Sequence, residues 1–432
     1  MGEMQELSTF WFVTFGAVKV VAVFTVVMAV VAYMTLAERR VSAFIQDRLG
    51  PNRVGPFGLL QPIADGIKNI IKEETMPGTA AKFYFVLGPA LAIMPAVVTF
   101  AVIPFAAPLP TPVGTVDMIV ADVPIGILYI LALSSLAVYG IVLSGWASNN
   151  KYAFLGGLRA SAQMISYEVA LGLSVIAVLL LAGNVTLTEM VWKQQQLGLW
   201  FVFPLSLAFI FFLISALAET NRLPFDMPEA ESELITGYHT EYSAMKFSMF
   251  FIAEYAHVVT ASALMATLFF GGWDIPFWPG DDMFRHEGAW IRGFDESGAP
   301  IPTSPSVLIT LLTLAAFSVK TGFFLLLYIW IRWTLPRFRY DQVMHLGWKV
   351  LLPAALAYIM LIAGTMLVLD QLGVAYGMLY GLVLTAVSGV TTLAFLFFVD
   401  RDRVISGAHR KRTTRARAPR AVADPAGRTT PS

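Results

Sequence analysis

The chain contains no cysteine. Disulfides are therefore excluded, and so are iron–sulfur clusters held by thiolates of this chain. Charge is scarce as well. Only 13% of the 432 residues are Asp, Glu, Lys or Arg, against roughly 25% in an ordinary soluble domain. Five histidines occur, and none has a metal-ligand spacing such as HExxH. Any redox chemistry must use cofactors held by a partner. No inverted repeat stands out, which disfavours several common transporter architectures.

Apolar sequence fills the space that charge leaves, at 57% of residues. Apolar runs of about 20 residues, the length of a spanning helix, recur along the chain. The reading is an all-α polytopic membrane protein, with residues 1–400 as one transmembrane domain. Nine spans are expected, near 13–37, 84–106, 123–145, 163–182, 199–217, 248–271, 307–331, 351–369 and 376–399. The first span has no basic stretch before it and no small-residue cleavage site, so it is taken as retained. Pro89, Pro95 and Pro104 fall inside the second span and should kink or break it. Between the first two spans, Leu59, Leu60, Ile63, Ile67, Ile70 and Ile71 repeat at helical spacing, with Asp65, Lys68, Asn69 and Lys72 opposite. That pattern predicts an amphipathic helix lying along the interface. No chemistry is assigned to the Gly-, Pro- and Trp-rich loop 272–306. Residues 401–432 read as a basic, disordered tail suited to anionic lipid.

Lys and Arg counts alternate from loop to loop. The connection after the first span holds seven, the next, 107–122, none, and the tail after 400 nine. The positive-inside rule then puts the N-terminus outside and the C-terminus in the cytoplasm.

Some charges sit where charge is expensive. Glu168 lies inside the fourth span, Glu254 and His257 inside the sixth, Lys320 near the middle of the seventh and Lys19 early in the first. Each costs roughly 2.5–3.5 kcal/mol at a helix centre. Lys19 can snorkel outward, and Lys320 suits a buried ion pair or a proton relay. His257 suits a satisfied core position more readily than a relay. Burial of Glu168 and Glu254 would suit them to proton exchange near neutral pH. The densest set is AETNRLPFDMPEAESELITGYHTEYS, Ala218–Ser243, with Glu219, Asp226, Glu229, Glu231, Glu233 and Glu241 against the single arginine Arg222. In a soluble loop this would be a solvated face. Between two spans, crowded carboxylates titrate as a coupled set and can exchange protons when a nearby charge appears.

Several stretches resemble one family. GLLQPIADGIKNIIKE at Gly58–Glu73 and PFDMPEAESELITG at Pro224–Gly237 are similar to two signature stretches of the H subunits of bacterial NADH–quinone oxidoreductase, respiratory complex I. AERRVSAFIQDRLGPNRVGPFG, RASAQMISYE, AETNR, FIAEY and WTLPRFRYDQ match as well, so the resemblance runs from about residue 31 to 369. It implies a membrane subunit that forms a quinone chamber with the peripheral arm and couples quinone reduction to proton translocation. Glu38, Arg39 and Asp65 would line the chamber. Arg159, Glu168, Glu219, Arg222, Asp226, Glu229, Glu231, Glu233 and Glu254 would form the proton-coupling path. Arg337, Arg339 and Asp341 would support subunit docking. The resemblance further implies quinone as substrate, NADH, FMN and iron–sulfur clusters in partner subunits, and the bacterial inner membrane as location. Its family also includes a membrane subunit of hydrogenase-type complexes, which is the alternative; a stand-alone proton-coupled transporter is a weaker one. The ninth span and the tail lie beyond the matching motifs.

Overall fold

The computed structural model of the chain describes residues 9–227, 235–276, 278, 280, 281, 283–286, 289–294 and 300–400. Glu229, Glu231, Glu233 and the basic tail lie outside the described residues.

The first apolar run forms α1 (Thr9–Ile45), a helix of 37 residues. It continues beyond the expected boundary because no breaker occurs before Gly50–Pro51. The amphipathic pattern becomes α2 (Gln61–Ile71), with Pro62 in its first turn, where a missing N–H costs nothing. Its Ile63, Ile67, Ile70 and Ile71 are exposed, an apolar face suited to lipid.

Proline shapes the next helix less than expected. Pro89 and Pro95 both lie within α3 (Lys82–Val98), which ends in a tight turn at Thr99–Val102. Pro104 lies past the helix. A short hairpin, β1 (Leu109–Thr111) with β2 (Gly114–Val116), leads to α4 (Gly126–Ala147). α3 and α4 pack closely at Gly88 and Gly140. A Cβ on Gly140 would lie 2.8 Å from the backbone of Gly88 and Ala92. Small residues let membrane helices approach in this way.

α5 (Lys151–Ala182) is capped by Asn150, whose side chain accepts from the Tyr152 N–H, and it closes at Gly183 in the left-handed region, φ 66°. It begins well before the span expected at 163–182, because its first turns carry Arg159 and Gln163 on an otherwise small-residue face. α6 (Leu187–Leu197) follows, and the chain then turns through Phe201–Leu205 into α7 (Ser206–Glu219). The span expected at 199–217 is thus only 14 residues of helix. The turn at Phe201–Leu205, which contains Pro204, delays its start.

α8 (Ala244–Phe269) is the most enclosed helix of the bundle, packed on α1, α3 and α9 (Val307–Thr334). The loop between α8 and α9 holds three antiparallel strands, β3 (Phe284–His286), β4 (Ala289–Phe294) and β5 (Pro300–Pro302). A short helix, α10 (Tyr340–His345), runs through one widened turn at Leu346–Leu351 into α11 (Leu352–Gln371), and α12 (Met378–Asp400) ends the described chain. Among the described residues, eight helical segments are long and apolar enough to cross a bilayer; α7 is apolar but shorter. The expected all-α polytopic membrane architecture holds.

Candidate functional site

Glu38 lies on α1, in the stretch facing α8 and α9, and is only 6% exposed. Three other elements bring partners to it. Arg222, in the loop after α7, donates from Nη1 to Glu38 Oε2 at 3.2 Å. The Tyr255 hydroxyl of α8 donates to the same oxygen at 2.6 Å. Arg332, in the last turn of α9, pairs with Glu38 Oε1. Arg222 also pairs with Glu254 on α8 and lies 4.1 Å over the Tyr255 ring. Burial opposes the Arg222 charge, but Glu254, Tyr255 and Glu38 outweigh it and hold the guanidinium above its ordinary pKa. The result is a buried network of two carboxylates, two arginines and a phenol. Such a network is stable only while each charge keeps its partners.

The loop that delivers Arg222 is itself clamped. Gln163 of α5 is fully buried and its amide donates to the carbonyls of Ala218 at 2.8 Å and Phe225 at 2.7 Å. Asn221 takes the left-handed conformation, φ 51°. Asp226 accepts from Arg337 Nη2 at 2.7 Å, and the Phe338 N–H donates to the Pro224 carbonyl at 3.2 Å. The Arg337–Arg339 stretch thus covers the loop. Arg339 and Asp341 are exposed at the start of α10, and Arg159 stacks over the Tyr340 ring at 5.6 Å.

Beside the network lies a cavity of about 590 Å³ between α1, α2, α8 and the end of α9. Its walls are mostly apolar, with Val31, Ile70, Phe247, Phe251, Ile252 and Trp333 among them. Its buried polar end holds Glu38, Tyr255 and Arg332, and the more exposed Arg39–Asp65 ion pair, 2.9 Å, also lines it. An apolar trough ending in a few convergent polar groups is the usual form of a ligand site. Among the described residues no group of three or more metal-ligating side chains occurs.

A second polar set lies deeper. Glu219, Glu254 and His257 line one small cavity, and Glu219, His257, Ser134 and Thr260 line another. Each holds about 30 Å³, room for one water. His257 Nε2 is buried with no protein hydrogen-bond partner and adjoins both cavities. Glu168 on α5 lies within electrostatic range of Glu219.

The structure therefore redraws the sequence-based groups. Glu38 and Arg39, read together, diverge: Arg39 pairs outward with Asp65, while Glu38 turns inward to Arg222 and Arg332. Arg222 and Glu254, assigned to a separate path, share that inward network. Two participants were missed: Tyr255 follows Glu254 directly, and Gln163 is a lone amide on a buried small-residue face; only the second pattern is visible without coordinates. The two intramembrane lysines take backbone partners. Lys19 donates to the carbonyls of Asp117 and Ile119 in the connection between α3 and α4, and Lys320 donates to those of Phe270, Gly272 and Asp274.

A bundle of spanning helices with buried, shared carboxylates and a side cavity ending in them defines a class: a multi-pass membrane protein whose interior handles charge. The chain belongs to the NADH dehydrogenase family, which it matches over residues 18–363. It is 49% identical to an H subunit of the NADH-quinone oxidoreductase of Geobacter metallireducens, over 81% of this chain and 96% of that protein. It is 48% identical to "NADH-ubiquinone oxidoreductase chain 1" of Chondrus crispus, with the same coverage. It is 49% identical to "NADH-quinone oxidoreductase subunit 8" of Rhodothermus marinus, over 76% of this chain and 91% of that one.

Proposed function

We propose that this chain is the H-type membrane subunit of an NADH–quinone oxidoreductase. It forms the bilayer wall of the quinone chamber and couples quinone reduction to proton translocation. The observation that carries the reading is the 590 Å³ cavity ending at Glu38, Tyr255 and Arg332. A quinone needs apolar walls for its isoprenoid tail and hydrogen-bonding groups for its ring, and this cavity offers both. Arg39 and Asp65 form its rim, and α2 lies at its mouth.

The proton-coupling path then starts where the cavity ends. Reduction of a quinone adds negative charge and draws protons. A charge change at Glu38 alters the balance that Arg222 holds between Glu38 and Glu254. From Glu254 the two water-sized cavities lead past His257 to Glu219 and on toward Glu168. Asp226 is tied to this set through Arg337, and Arg159 stands near the same surface. Glu229, Glu231 and Glu233 belong to the proposed set by sequence. This chain carries no electrons; NADH, FMN and iron–sulfur clusters belong to partner subunits of the peripheral arm. Arg337, Arg339 and Asp341 offer a docking surface on the cytoplasmic side. The proposed setting is the bacterial inner membrane, N-terminus outside, with residues 1–400 as the membrane domain and 401–432 as a cytoplasmic tail.

The test is a Gln series at Glu254 and Glu219 in the assembled complex, measured for NADH–quinone reductase rate and proton pumping in vesicles. Pumping is expected to fall severely with the complex intact. Unchanged pumping in both variants would end the coupling assignment. A tail-labelled photoreactive quinone that fails to label α1, α2 or α8 would end the chamber assignment.

A further inference from the structure

α12 lies beyond the residues that match the family, 18–363, and the proposed function leaves it without a role. Its neighbour α7 is the odd member of the bundle. With 14 residues, α7 is about 21 Å long, too short for roughly 30 Å of hydrocarbon. The chain enters it through the turn Phe201–Leu205, where a spanning helix was expected.

The depth of that turn can be read along α12. Gly381 lies beside the end of α6, where a Cβ would come within 3.0 Å of Leu199 and 3.1 Å of Leu197. Tyr376, just before α12, reaches the Lys193 carbonyl of α6 at 3.3 Å. Ser388 and Thr392 are about 10 and 16 Å further along the helix axis. Both meet Ser206, the first residue of α7, at 3.0 and 2.9 Å between hydroxyl oxygens. Tyr358 of α11 completes the cluster, its hydroxyl 2.8 Å from that of Ser388. Ser388 is wholly buried, and Phe395 packs edge-on against Phe211, 5.2 Å between ring centres. The start of α7 therefore lies about 10–16 Å further along α12 than the end of α6.

Irregular backbone at membrane depth persists only where protein or water covers it. Part of the cover is already present. Gln194 Oε1 accepts the Phe201 N–H at 3.1 Å, and the Phe269 carbonyl accepts that of Val202 at 2.9 Å. α12 meets both flanks of the turn, at Leu199 and at Ser206, while Phe203 stays exposed. We infer that α12 is an in-chain lipid shield for the broken start of α7, docked in the groove between α6, α7 and α11 through the hydroxyls of Ser206, Tyr358, Ser388 and Thr392. Its opposite face suits the role: Val390, Leu393 and Phe397 are exposed and apolar. The shielding role is independent of the quinone chamber.

The test uses the full chain in its native complex, reconstituted with a phospholipid that carries a diazirine in its acyl chain. Irradiation followed by peptide mass spectrometry maps the residues that touch lipid. Adducts are expected at Val390 and Leu393 and absent from Leu205 and Ser206. Ser388→Leu should bring adducts to Leu205 and Ser206, or remove the chain from the complex. If it removes the chain, the milder pair Ser388→Ala and Thr392→Ala should lower the thermal midpoint of the assembled complex. Adducts at Leu205 or Ser206 in the unaltered chain would overturn the inference. So would an adduct map and a midpoint left unchanged by all these substitutions.

Discussion

Two places in this molecule hold buried cations, and they solve the problem differently. Lys320, on α9, is surrounded by backbone. Its ammonium donates to the carbonyls of Phe270, Gly272 and Asp274 and lies 4.5 Å over the Trp200 ring. The nearby Asp274 carboxylate is itself occupied by Trp200 Nε1 at 2.8 Å and Gln195 at 3.3 Å. Carbonyls do not titrate, so the partners of this ammonium keep a fixed charge. Arg222 instead faces two carboxylates and a phenol, and both carboxylates adjoin cavities. That arrangement sets two carboxylates and a phenol around one cation. The first design suits the pinning of a loop. The second suits a response to charge.

The sharpest way to test this contrast is to remove each cation. Arg222→Leu leaves Glu38 and Glu254 buried without a shared partner. A loss of about 3–5 kcal/mol is expected, seen as failure of the chain to accumulate in the membrane. Arg222→Lys should restore accumulation only in part, because a point charge cannot bridge both carboxylates. Lys320→Met removes one cation and leaves three carbonyls unsatisfied. Its expected cost is smaller, about 1–3 kcal/mol, read as a lower thermal midpoint with the turnover of surviving complex unchanged. A loss of turnover at a normal midpoint would merge the two regions into one functional system.

Gln163→Leu should cost about as much as Lys320→Met, since it removes two buried hydrogen bonds, to the Ala218 and Phe225 carbonyls. Here turnover should suffer too, because the same amide holds the loop that presents Arg222. Limited proteolysis across residues 218–227 should become faster. Unaltered cleavage would mean that Arg337 and Phe338 hold the loop unaided.

His239 gives a pH reading outside the spans. Burial lowers its pKa from 6.5 to about 4. It therefore stays neutral in the fold while the unfolded chain protonates near 6.5. The unfolded state binds more protons in this window, so stability falls as pH drops from 6.5 toward 4, by about 1.4 kcal/mol per pH unit at most. His239→Phe should flatten that part of a thermal-midpoint profile against pH. A profile of unchanged slope would assign the acid sensitivity to the carboxylate network.

The smallest effect is expected at the cavity rim. Arg39 and Asp65 form an ion pair with Arg39 half exposed, and such pairs contribute about 0–1 kcal/mol. Arg39→Ala should leave the thermal midpoint nearly unmoved, while a fall in apparent quinone affinity would support a role at the mouth.

Much of this was legible in the residues. Apolar runs marked the helices, since a bilayer accepts little else, and α2 followed from the spacing of Ile63, Ile67, Ile70 and Ile71. Glu168 and Glu254 stood out because charge in an apolar run is rare enough to need a reason, and Glu219 as part of an acidic stretch between two such runs. The boundaries of α7 were not legible. Leu199–Leu217 reads as one span, and only the packing of Gln194, Phe269 and α12 around Phe201–Leu205 allows the turn. The partners of Glu38 were not legible either. Arg222, Tyr255 and Arg332 lie 184, 217 and 294 residues away in the chain.

The sequence by itself determined that this is a helical membrane protein, where its charges fall and which family it joins. Those properties follow from composition, periodicity and local motifs, which need no distant contact. The tertiary structure decided which charges share a site. A carboxylate pairs outward, as Asp65 does, or inward, as Glu38 does, only through the partner that reaches it. That choice depends on how α1, α8, α9 and the loop after α7 converge, and no local pattern encodes it.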